Sequence, residues 1–585
     1  MREYTADFET TTDPNDCRVW AWGLCSIDNP EEFIYGNDIE TFIKWCSSWH
    51  HNYKLWFHNL KFDSQFLTYY LMTHNYTYIE DKKDRADKTF TMLVGDNGAF
   101  YSMEIYFNVR GKRSNKITIY DSLKVLNFSV EEVAKAFDLP IRKLDLDYKT
   151  KRERWHKLTE HEIEYLRHDV EIMARAMGFM HQKGFTRMTI GSNALANFKT
   201  TLPDFKHFFP VLSTECDKDI RKSYRGGFTW LNPIWKGKVE GPGLVVDCNS
   251  MYPSVLRYEY LPVGCPERFE DKYQYDPVYP LYIQVITCVF KLKPGFIPTI
   301  QIKNSLSFMP TEYLESSNGD FVTLTLTSID LELFLKHYNV SHVHWGGGYK
   351  FQARKGLFDK YIDYWTAEKI KAGKEGNRSL RTLSKLAMNS IYGRFAISPK
   401  ASKKEPYLGE DGVVHYHNTE PEERDGVYIP VAAFCTSYSR RKIISTSMAI
   451  KKWSKEKYGK DLTVYHDTDS CHIITPNYEE DVEDLKKIID IDDYKLGAWK
   501  PESTFVKGKW LHAKCYIEQD ENGEIHTTVA GLPKKLSYLI NFDNFKEGFS
   551  TADFTDEEVA STGRKLTYKY VKGGVVLVET DFTIK

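Results

Sequence analysis

Tyr465-His466-Asp467-Thr468-Asp469-Ser470 lies between two apolar runs, Leu462-Thr463-Val464 and Cys471-His472-Ile473-Ile474. It therefore reads as the turn region of a β-hairpin carrying two carboxylates one residue apart. Far upstream, Leu244-Val245-Val246-Asp247-Cys248-Asn249-Ser250-Met251-Tyr252-Pro253-Ser254 offers a short apolar strand ending in a third acid. Ser250 and Pro253 favour a helix start just beyond it. Residues i and i+2 of a strand face the same way, so Asp467 and Asp469 are expected to point toward one site. Clustered carboxylates repel, and one takes up a proton unless cations neutralise them, so a cluster implies metal. Oxygen ligands beside a triphosphate favour magnesium or manganese. Two such ions, roughly 3.5–4 Å apart, lower the pKa of an attacking hydroxyl and stabilise a leaving oxygen. Asp-x-Asp alone is most often an ordinary turn and needs support from elsewhere.

The composition leaves room for this chemistry. A chain of 585 residues, 42% hydrophobic and 15% aromatic, can bury several cores, so several folded domains are expected. Ten scattered cysteines with no Cys-x-x-Cys pair indicate neither a zinc site nor a disulfide framework. Met1-Arg2-Glu3-Tyr4-Thr5-Ala6-Asp7 lacks the apolar core of a signal peptide, and no later run is long enough to cross a bilayer. A protein of a reducing compartment, with no membrane partner, is expected. The net charge of −2 argues weakly against nucleic acid. Residues 350–404, however, hold 14 Lys/Arg against 4 Asp/Glu, a local +10 that leaves −12 for the remainder. A basic block in an acidic chain suits phosphate contacts beside metal-binding acids, although a solvated basic face has the same composition.

The pattern inside that block favours phosphate. At about 100° per residue, Arg378, Arg381, Lys385, Asn389 and Tyr392 fall within an arc of roughly 80° of one helix. Leu380, Leu383, Ala387, Met388 and Ile391 cluster on the other side. Gly393 follows where the helix is expected to end. The cationic face suits triphosphate oxygens at Arg381 and Lys385 and a base against Tyr392.

Along the chain there is no internal repeat. Residues 5–10, 19–24 and 55–57 read as strands, the last leading into a helix after His58-Asn59-Leu60-Lys61-Phe62-Asp63. Ser129-x-x-Glu132 and Thr159-x-x-Glu162 are capping boxes that open helices. This first α/β unit is expected to end near residue 190. Residues 259–356 are β-rich with many Pro and Gly turns; a basic helical hairpin follows, then a short Gly/Pro-punctuated insertion near 398–430. Further strands lie around Val464 and Tyr516, and Gly573-Gly574-Val575-Val576-Leu577-Val578 reads as a terminal strand.

The first unit holds its own acids. Asp7 and Glu9 lie at i and i+2 on a strand and share a face. Tyr165 and Asp169 are four apart on the helix opened by Thr159 and share another. With Asp63 after its aromatic strand, four acids and a phenol suit two-metal hydrolysis of a phosphodiester by water. Singly, each reads as a surface acid.

Together these residues meet a known pattern. Asp247-x-x-Ser250-x-Tyr252-Pro253, Lys385-x-x-x-Asn389-Ser390-x-Tyr392-Gly393 and Tyr465-x-Asp467-Thr468-Asp469-Ser470 resemble the three polymerase motifs of family B DNA polymerases. Lys514-Cys515-Tyr516 resembles the Lys-x-Tyr element that contacts the primer end in protein-primed members. Asp7-Phe8-Glu9-Thr10, Asn59-Leu60-Lys61-Phe62-Asp63 and Tyr165-x-x-x-Asp169 resemble the three motifs of the family's 3′–5′ exonuclease. Order, spacing and length are similar to the phage phi-29 type nearly end to end, through Phe582-Thr583-Ile584-Lys585. Met251, where leucine is usual, and His466, where cysteine is usual, depart from the pattern without removing an acid.

The resemblance implies a mixed α/β and α+β multidomain fold. A ribonuclease-H-like exonuclease domain (1–188) would precede a right-hand polymerase with palm (189–258 and 431–540), fingers (358–397) and thumb (541–585). Two terminal-protein-region insertions (259–357 and 398–430) would interrupt it, the second encircling template and underlying processivity and strand displacement. It implies Asp247 and Asp469 as metal ligands with Asp467 in support, and Asp7, Glu9, Asp63 and Asp169 as exonuclease metal ligands. Each active site would take two Mg2+ or Mn2+ ions. Tyr165 would orient water and Lys143 assist. Arg381, Lys385 and Asn389 would face the nucleotide, with Tyr392 packed against it and Tyr252 excluding a 2′-hydroxyl. His58, Asn59, Phe62, Ser122 and Leu123 would hold the frayed strand, and Lys514 and Tyr516 the primer. Implied partners are a DNA primer-template, dNTPs and a phage terminal protein, the chain being a monomer or a heterodimer with that protein in the cytoplasm of an infected bacterium. A reverse transcriptase or RNA polymerase, and a catalytically silent nucleic-acid scaffold, are the rival readings; the proofreading acids and Tyr252 weigh against the first, and the full acid set against the second.

Overall fold

The computed structural model describes residues 2–48, 52–110, 113–148, 150–302, 312–559 and 563–585; residues 303–311 of the first expected insertion and 560–562 of the expected thumb lie outside them. The N-terminal sheet has eight strands: β1 (Arg2–Thr10), β2 (Val19–Ser26), β3 (Phe33–Gly36), β4 (Tyr53–Phe57), β5 (Thr77–Tyr78), β6 (Thr89–Val94), β7 (Phe100–Arg110) and β8 (Arg113–Asp121). Their order is β3-β2-β1-β4-β8-β7-β6-β5. β2 runs antiparallel to β1, whereas β4 is parallel to both β1 and β8, the ribonuclease-H-like arrangement the motifs imply. β2 is buried along its whole length, as its apolar sequence requires of a central strand. Both capping boxes form, at Ser129 and Thr159. The second opens the Glu160–Gln182 helix, whose Val170 carbonyl accepts a hydrogen bond from Thr5 Oγ1 at 2.6 Å and so fixes the helix against β1.

A second, five-stranded antiparallel sheet has the order Trp499–Phe505, Gly243–Cys248, Ser470–Ile474, Thr463–Asp467, Thr229–Leu231. The Ile429–Tyr458 helix packs against it through Ile443, Ile444 and Ile450. The β-rich region at 259–357 holds a four-stranded sheet, a two-stranded pair (Ile300–Ile302 with Glu312–Leu314) and the Ser328–His337 helix. Two antiparallel helices, Asp359–Lys374 and Arg378–Phe395, form the basic hairpin. Phe358, just before the first of them, stacks on Phe198 of the Ile190–Thr201 helix at 4.4 Å, and Ser379 of the second donates to the Phe137 carbonyl of the N-terminal unit at 2.8 Å. The last hairpin, Lys565–Val571 and Gly574–Thr580, inserts Val575 and Val576 into the core of the N-terminal sheet. Among the described residues, no helix is long and apolar enough to cross a membrane.

A buried ion pair ties the four-stranded region to the long helix. Arg440 donates to Asp330 at 3.0 and 2.5 Å and also to the carbonyls of Arg225 and Gly226. Burial works against the Asp330 charge, and Arg440 outweighs it, leaving the carboxyl below its usual range. Removing one partner strands a buried charge, whereas removing both does not. Asp330→Ala is expected to destabilise this region by roughly 3–5 kcal/mol, read as faster hydrogen exchange in the Ser328–His337 helix, and Asp330→Leu with Arg440→Met is expected to recover most of that loss.

Candidate active sites

The Gly243–Cys248 strand carries Asp247 to the end of the second sheet, opposite Ser470. The Cys248 N–H donates to the Asp469 carbonyl at 2.7 Å, which sets the two acid-bearing segments side by side. The expectation that Asp467 and Asp469 share a strand face needs correction. The strand stops at Asp467, Thr468 takes a left-handed φ of 64°, and Asp469 N–H turns back to the Asp467 carbonyl at 2.7 Å. Asp469 is a turn residue, and the turn rather than strand alternation aims it. Two contacts hold that turn. Thr468 N–H donates to the Phe228 carbonyl at 2.7 Å, and a Cβ on Gly227 would lie 2.6 Å from Thr468 Cγ2, so only glycine permits the approach.

The three acids are not equivalent. Lys514 Nζ answers Asp467 at 2.8 and 2.9 Å, and Tyr465 donates to it at 3.2 Å while accepting the Lys514 N–H at 2.8 Å. Tyr516 packs on Tyr465 at 5.2 Å. Asp247 is pushed up to about 7 by burial, then by Asp469 and Glu502, against the pull of Lys385 and Lys500. Asp469 is pushed up to about 6 by burial, then by Asp467, with Glu502 adding to it. Sequence reading missed Glu502. It sits where the register between Gly243–Cys248 and Trp499–Phe505 slips by a residue, a bulge with no local signature.

The basic helix has the expected faces: Leu380, Leu383, Ala387, Met388 and Ile391 are buried, and Arg378, Arg381, Lys385 and Asn389 are exposed. It runs through Gly393 to Phe395, so the glycine does not end it. Lys369, on the partner helix, was also missed. Its ammonium donates to Ser250 Oγ at 3.3 Å, and burial followed by Lys385, Arg381 and Lys500 holds its pKa down. Lys369, Lys385 and Lys500 thus gather beside Asp247, with Arg381 next to Lys369. Ser250 precedes the Met251–Tyr258 helix as expected, but in a left-handed conformation (φ 55°) and without a side-chain cap. Tyr252 and Tyr392 stack with centroids 4.0 Å apart.

In the N-terminal unit, Asp7 and Glu9 on β1 meet Asp169 of the Glu160–Gln182 helix, with ligand oxygens all within 4.8 Å of one another. Asp63 stands outside that trio yet near enough for Asp7 to raise its pKa. Burial, then Asp169, pushes Asp7 up to about 7; Glu9 and Asp63 are also raised, burial first. Lys143 forms an ion pair with Asp169 and lies over the Tyr165 ring at 5.0 Å. Tyr165 shares a 2.6 Å hydrogen bond with Tyr148, another residue the motifs did not reach. Among the expected strand-holding residues, Asn59 takes φ 74° with its N–H on Asp121, and Phe62 and Leu123 stay partly open. His58 and Ser122 lie beside them, His58 partly open and Ser122 buried. The histidine uses both ring nitrogens, on Ser122 Oγ (3.0 Å) and the Phe128 carbonyl (2.7 Å), and fully buried Ser122 donates to the Phe57 carbonyl at 3.0 Å.

Both acid sets suit a hard divalent cation. Their donors are carboxylate oxygens, and Oδ1 of Asp63 and of Asp169 is buried without a hydrogen-bond partner.

A family model described as DNA polymerase type B, organellar and viral, matches residues 46–162 and 149–480. DNA polymerases of Bacillus phage Nf and Bacillus phage phi29 are 40% and 39% identical over all of this chain and 99% of theirs. The Streptococcus phage Cp-1 DNA polymerase is 31% identical over the whole chain and 98% of its own. The structure of phi29 DNA polymerase with primer-template DNA is similar at a TM-score of 0.89 and 37% identity; that with primer-template DNA and incoming nucleotides is similar at 0.88 and 38%. Both cover each chain completely.

A native carboxyl with a raised pKa binds its proton more tightly than the unfolded chain does. The stability this brings is present below about pH 4 and lost as pH rises through about 6–7. A cation replaces those protons. In EDTA the melting temperature is expected to fall as pH rises from 5 to 8, and added magnesium to restore it at pH 8 but hardly at pH 5. Calorimetric titration at pH 6 is expected to show proton release on metal binding.

Proposed function

As the chain belongs to the organellar and viral type B DNA polymerases, we propose that it extends a DNA primer at Asp247 and Asp469 and trims unpaired 3′ ends at Asp7, Glu9, Asp63 and Asp169. The observation that carries this reading is the pair of Asp247 and Asp469, both driven toward neutrality in the bare protein, beside Lys369, Arg381, Lys385 and Lys500. Each acid cluster would hold two divalent ions, magnesium or manganese, which when bound lower the pKa of the attacking hydroxyl or water and stabilise the leaving oxygen.

The chain's own residues do the positioning. Arg381 and Lys385 hold the triphosphate, Lys369 and Lys500 add to the field, and Asn389 faces the nucleotide from the same helix face. Tyr392 packs on the incoming base, with Tyr252 stacked behind it where a 2′-hydroxyl would clash. The primer 3′-hydroxyl attacks the α-phosphate, and departing pyrophosphate meets the cationic face. Lys514, steadied by Asp467 and Tyr465, and Tyr516 guide the primer end. In the exonuclease site Tyr165, held by Tyr148, orients water, and Lys143 balances Asp169. His58, Asn59, Phe62, Ser122 and Leu123 hold the unpaired strand.

The domain boundaries proposed are those read from the sequence: exonuclease 1–188, palm 189–258 and 431–540, fingers 358–397, thumb 541–585, and terminal-protein regions 259–357 and 398–430. The tip of the Lys404–Leu408 and Val414–Asn418 hairpin places Gly412 under the Lys572 side chain of the thumb, which supports a closed path around template and hence processive, strand-displacing synthesis. Tyr275 (80% exposed) and Phe321 (66% exposed) on the first insertion suit a protein partner such as the terminal protein, whose hydroxyl would prime synthesis. The proposed setting is the cytoplasm of an infected bacterium.

Asp469→Ala is expected to lower primer extension by at least about 10²–10³-fold, the scale of losing one charge-stabilising group, while single-strand degradation persists. Asp7→Ala with Glu9→Ala is expected to do the reverse. Loss of both activities in Asp469→Ala would make that aspartate structural, and undiminished trimming in the double variant would remove the exonuclease assignment.

A further inference from the structure

Asn59 and Phe62 make a contact that their place in the exonuclease unit does not explain. Asn59 Nδ2 donates at 2.9 Å to the hydroxyl of Tyr568, a residue of the C-terminal hairpin. The Phe62 and Tyr568 rings lie 6.0 Å apart at 50°, and Lys61 Nζ sits 5.3 Å from the Tyr568 centroid. Tyr568 is only partly buried.

The hairpin is held in place. Gly573, at φ 97°, abuts the Cys17 carbonyl so closely that a Cβ would lie 1.9 Å from its oxygen. A Cβ on Gly574 would lie 2.7 Å from Phe66 of the helix that carries Phe62. Val575 and Val576 complete the anchor inside the N-terminal core. Tyr568 is therefore presented at a fixed spot, and its neighbours there are Asn59, Lys61 and Phe62. Because its oxygen accepts from Asn59, its own hydrogen remains to donate outward. Two aromatic rings set at an angle, a hydroxyl donor and an ammonium match the parts of an unpaired nucleotide: the base face, a base or sugar acceptor, and the phosphate.

We propose that Tyr568 is a strand-binding residue of the exonuclease site, supplied by the C-terminal hairpin, which takes the unpaired 3′-terminal DNA nucleotide together with Phe62 and Asn59. This rests on the exonuclease reading of the N-terminal acids. It gives the last hairpin a direct part in capturing the strand, so that the 3′ end is gripped by both ends of the polypeptide at once.

The test uses the full chain in EDTA, where nothing is cleaved, and a short oligothymidylate ending in 3′-terminal 2-aminopurine, whose fluorescence is quenched by stacking. Tyr568→Ala is expected to weaken binding about tenfold or more and to abolish part of the quenching. In magnesium the same factor is expected in KM for trimming, with kcat within about twofold. Tyr568→Phe, which keeps the ring, is expected to retain the quenching and lose about two- to fivefold in affinity. Parental affinity and quenching in Tyr568→Ala would overturn the proposal, and so would tighter binding or faster trimming, which would make the side chain an obstruction. If the alanine variant melts several degrees lower, Tyr568→Phe is decisive, and parental affinity there overturns the hydroxyl's role. Trimming that survives Asp7→Ala would instead fault the exonuclease reading and leave the binding result standing.

Discussion

A carboxylate taken out of water beside a second carboxylate opposes folding, and this protein contains that arrangement twice. Asp247 and Asp469 converge at the end of one sheet; Asp7, Glu9 and Asp169 converge across a strand and a helix of another. The cost is tolerable only where the backbone cannot relax and a cation can replace the missing neutralisation. Both places satisfy the first condition. The Asp469 turn is held by the Phe228 carbonyl and by the space over Gly227, and Asp169 rides on a helix pinned to β1 by Thr5. The protein neutralises selectively. Asp467 receives Lys514 and Asp169 receives Lys143, whereas Asp247, Asp469, Asp7 and Glu9 form no ion pair of their own among the described residues.

The two sites are joined by packing that leaves little freedom between them. The Leu60–Thr73 helix carries Phe62 and Asp63 on its exonuclease side. It also receives two distant hairpins: Tyr416 donates to Gln65 at 3.0 Å, and Gly574 lies against Phe66. On the opposite flank, the basic helix reaches the N-terminal unit through Ser379 and Phe137. On the proposed roles, a strand passing from Asp247 and Asp469 to Asp7 and Glu9 would travel along surfaces fixed to one another.

Much of this was legible in sequence, and the limits have physical causes. Strand alternation gave Asp7 and Glu9 a common face because β1 is regular there, and the two capping boxes formed because both partners lie within four residues. The helical arc of Arg378, Arg381, Lys385 and Asn389 held because burial of the opposite face decides it. The same strand rule misplaced Asp469, since Thr468 adopts a left-handed φ without a glycine to announce it. Ser250 does stand at the helix start it marks, but in a left-handed conformation and without a side-chain cap. Glu502, Lys369, Tyr148 and Tyr568 were invisible for another reason: each reaches its site through a bulge, a neighbouring helix, a loop or a remote hairpin, and long-range placement leaves no local pattern. His58 and Ser122 lie next to Asn59 in the fold, and the hydrogen bonds that fix them, to Phe128 and Phe57, have no counterpart in the local pattern.

Asp247 and Asp469 are proposed to share cations. Manganese binding followed by electron paramagnetic resonance tests this directly, with Asp247→Asn, Asp469→Asn and the pair combined. Either substitution is expected to remove the same class of sites, the combination to remove no more, and a second class, dependent on Asp7 and Glu9, to persist throughout. Loss of different classes by the two single variants, adding in the double, would contradict the sharing.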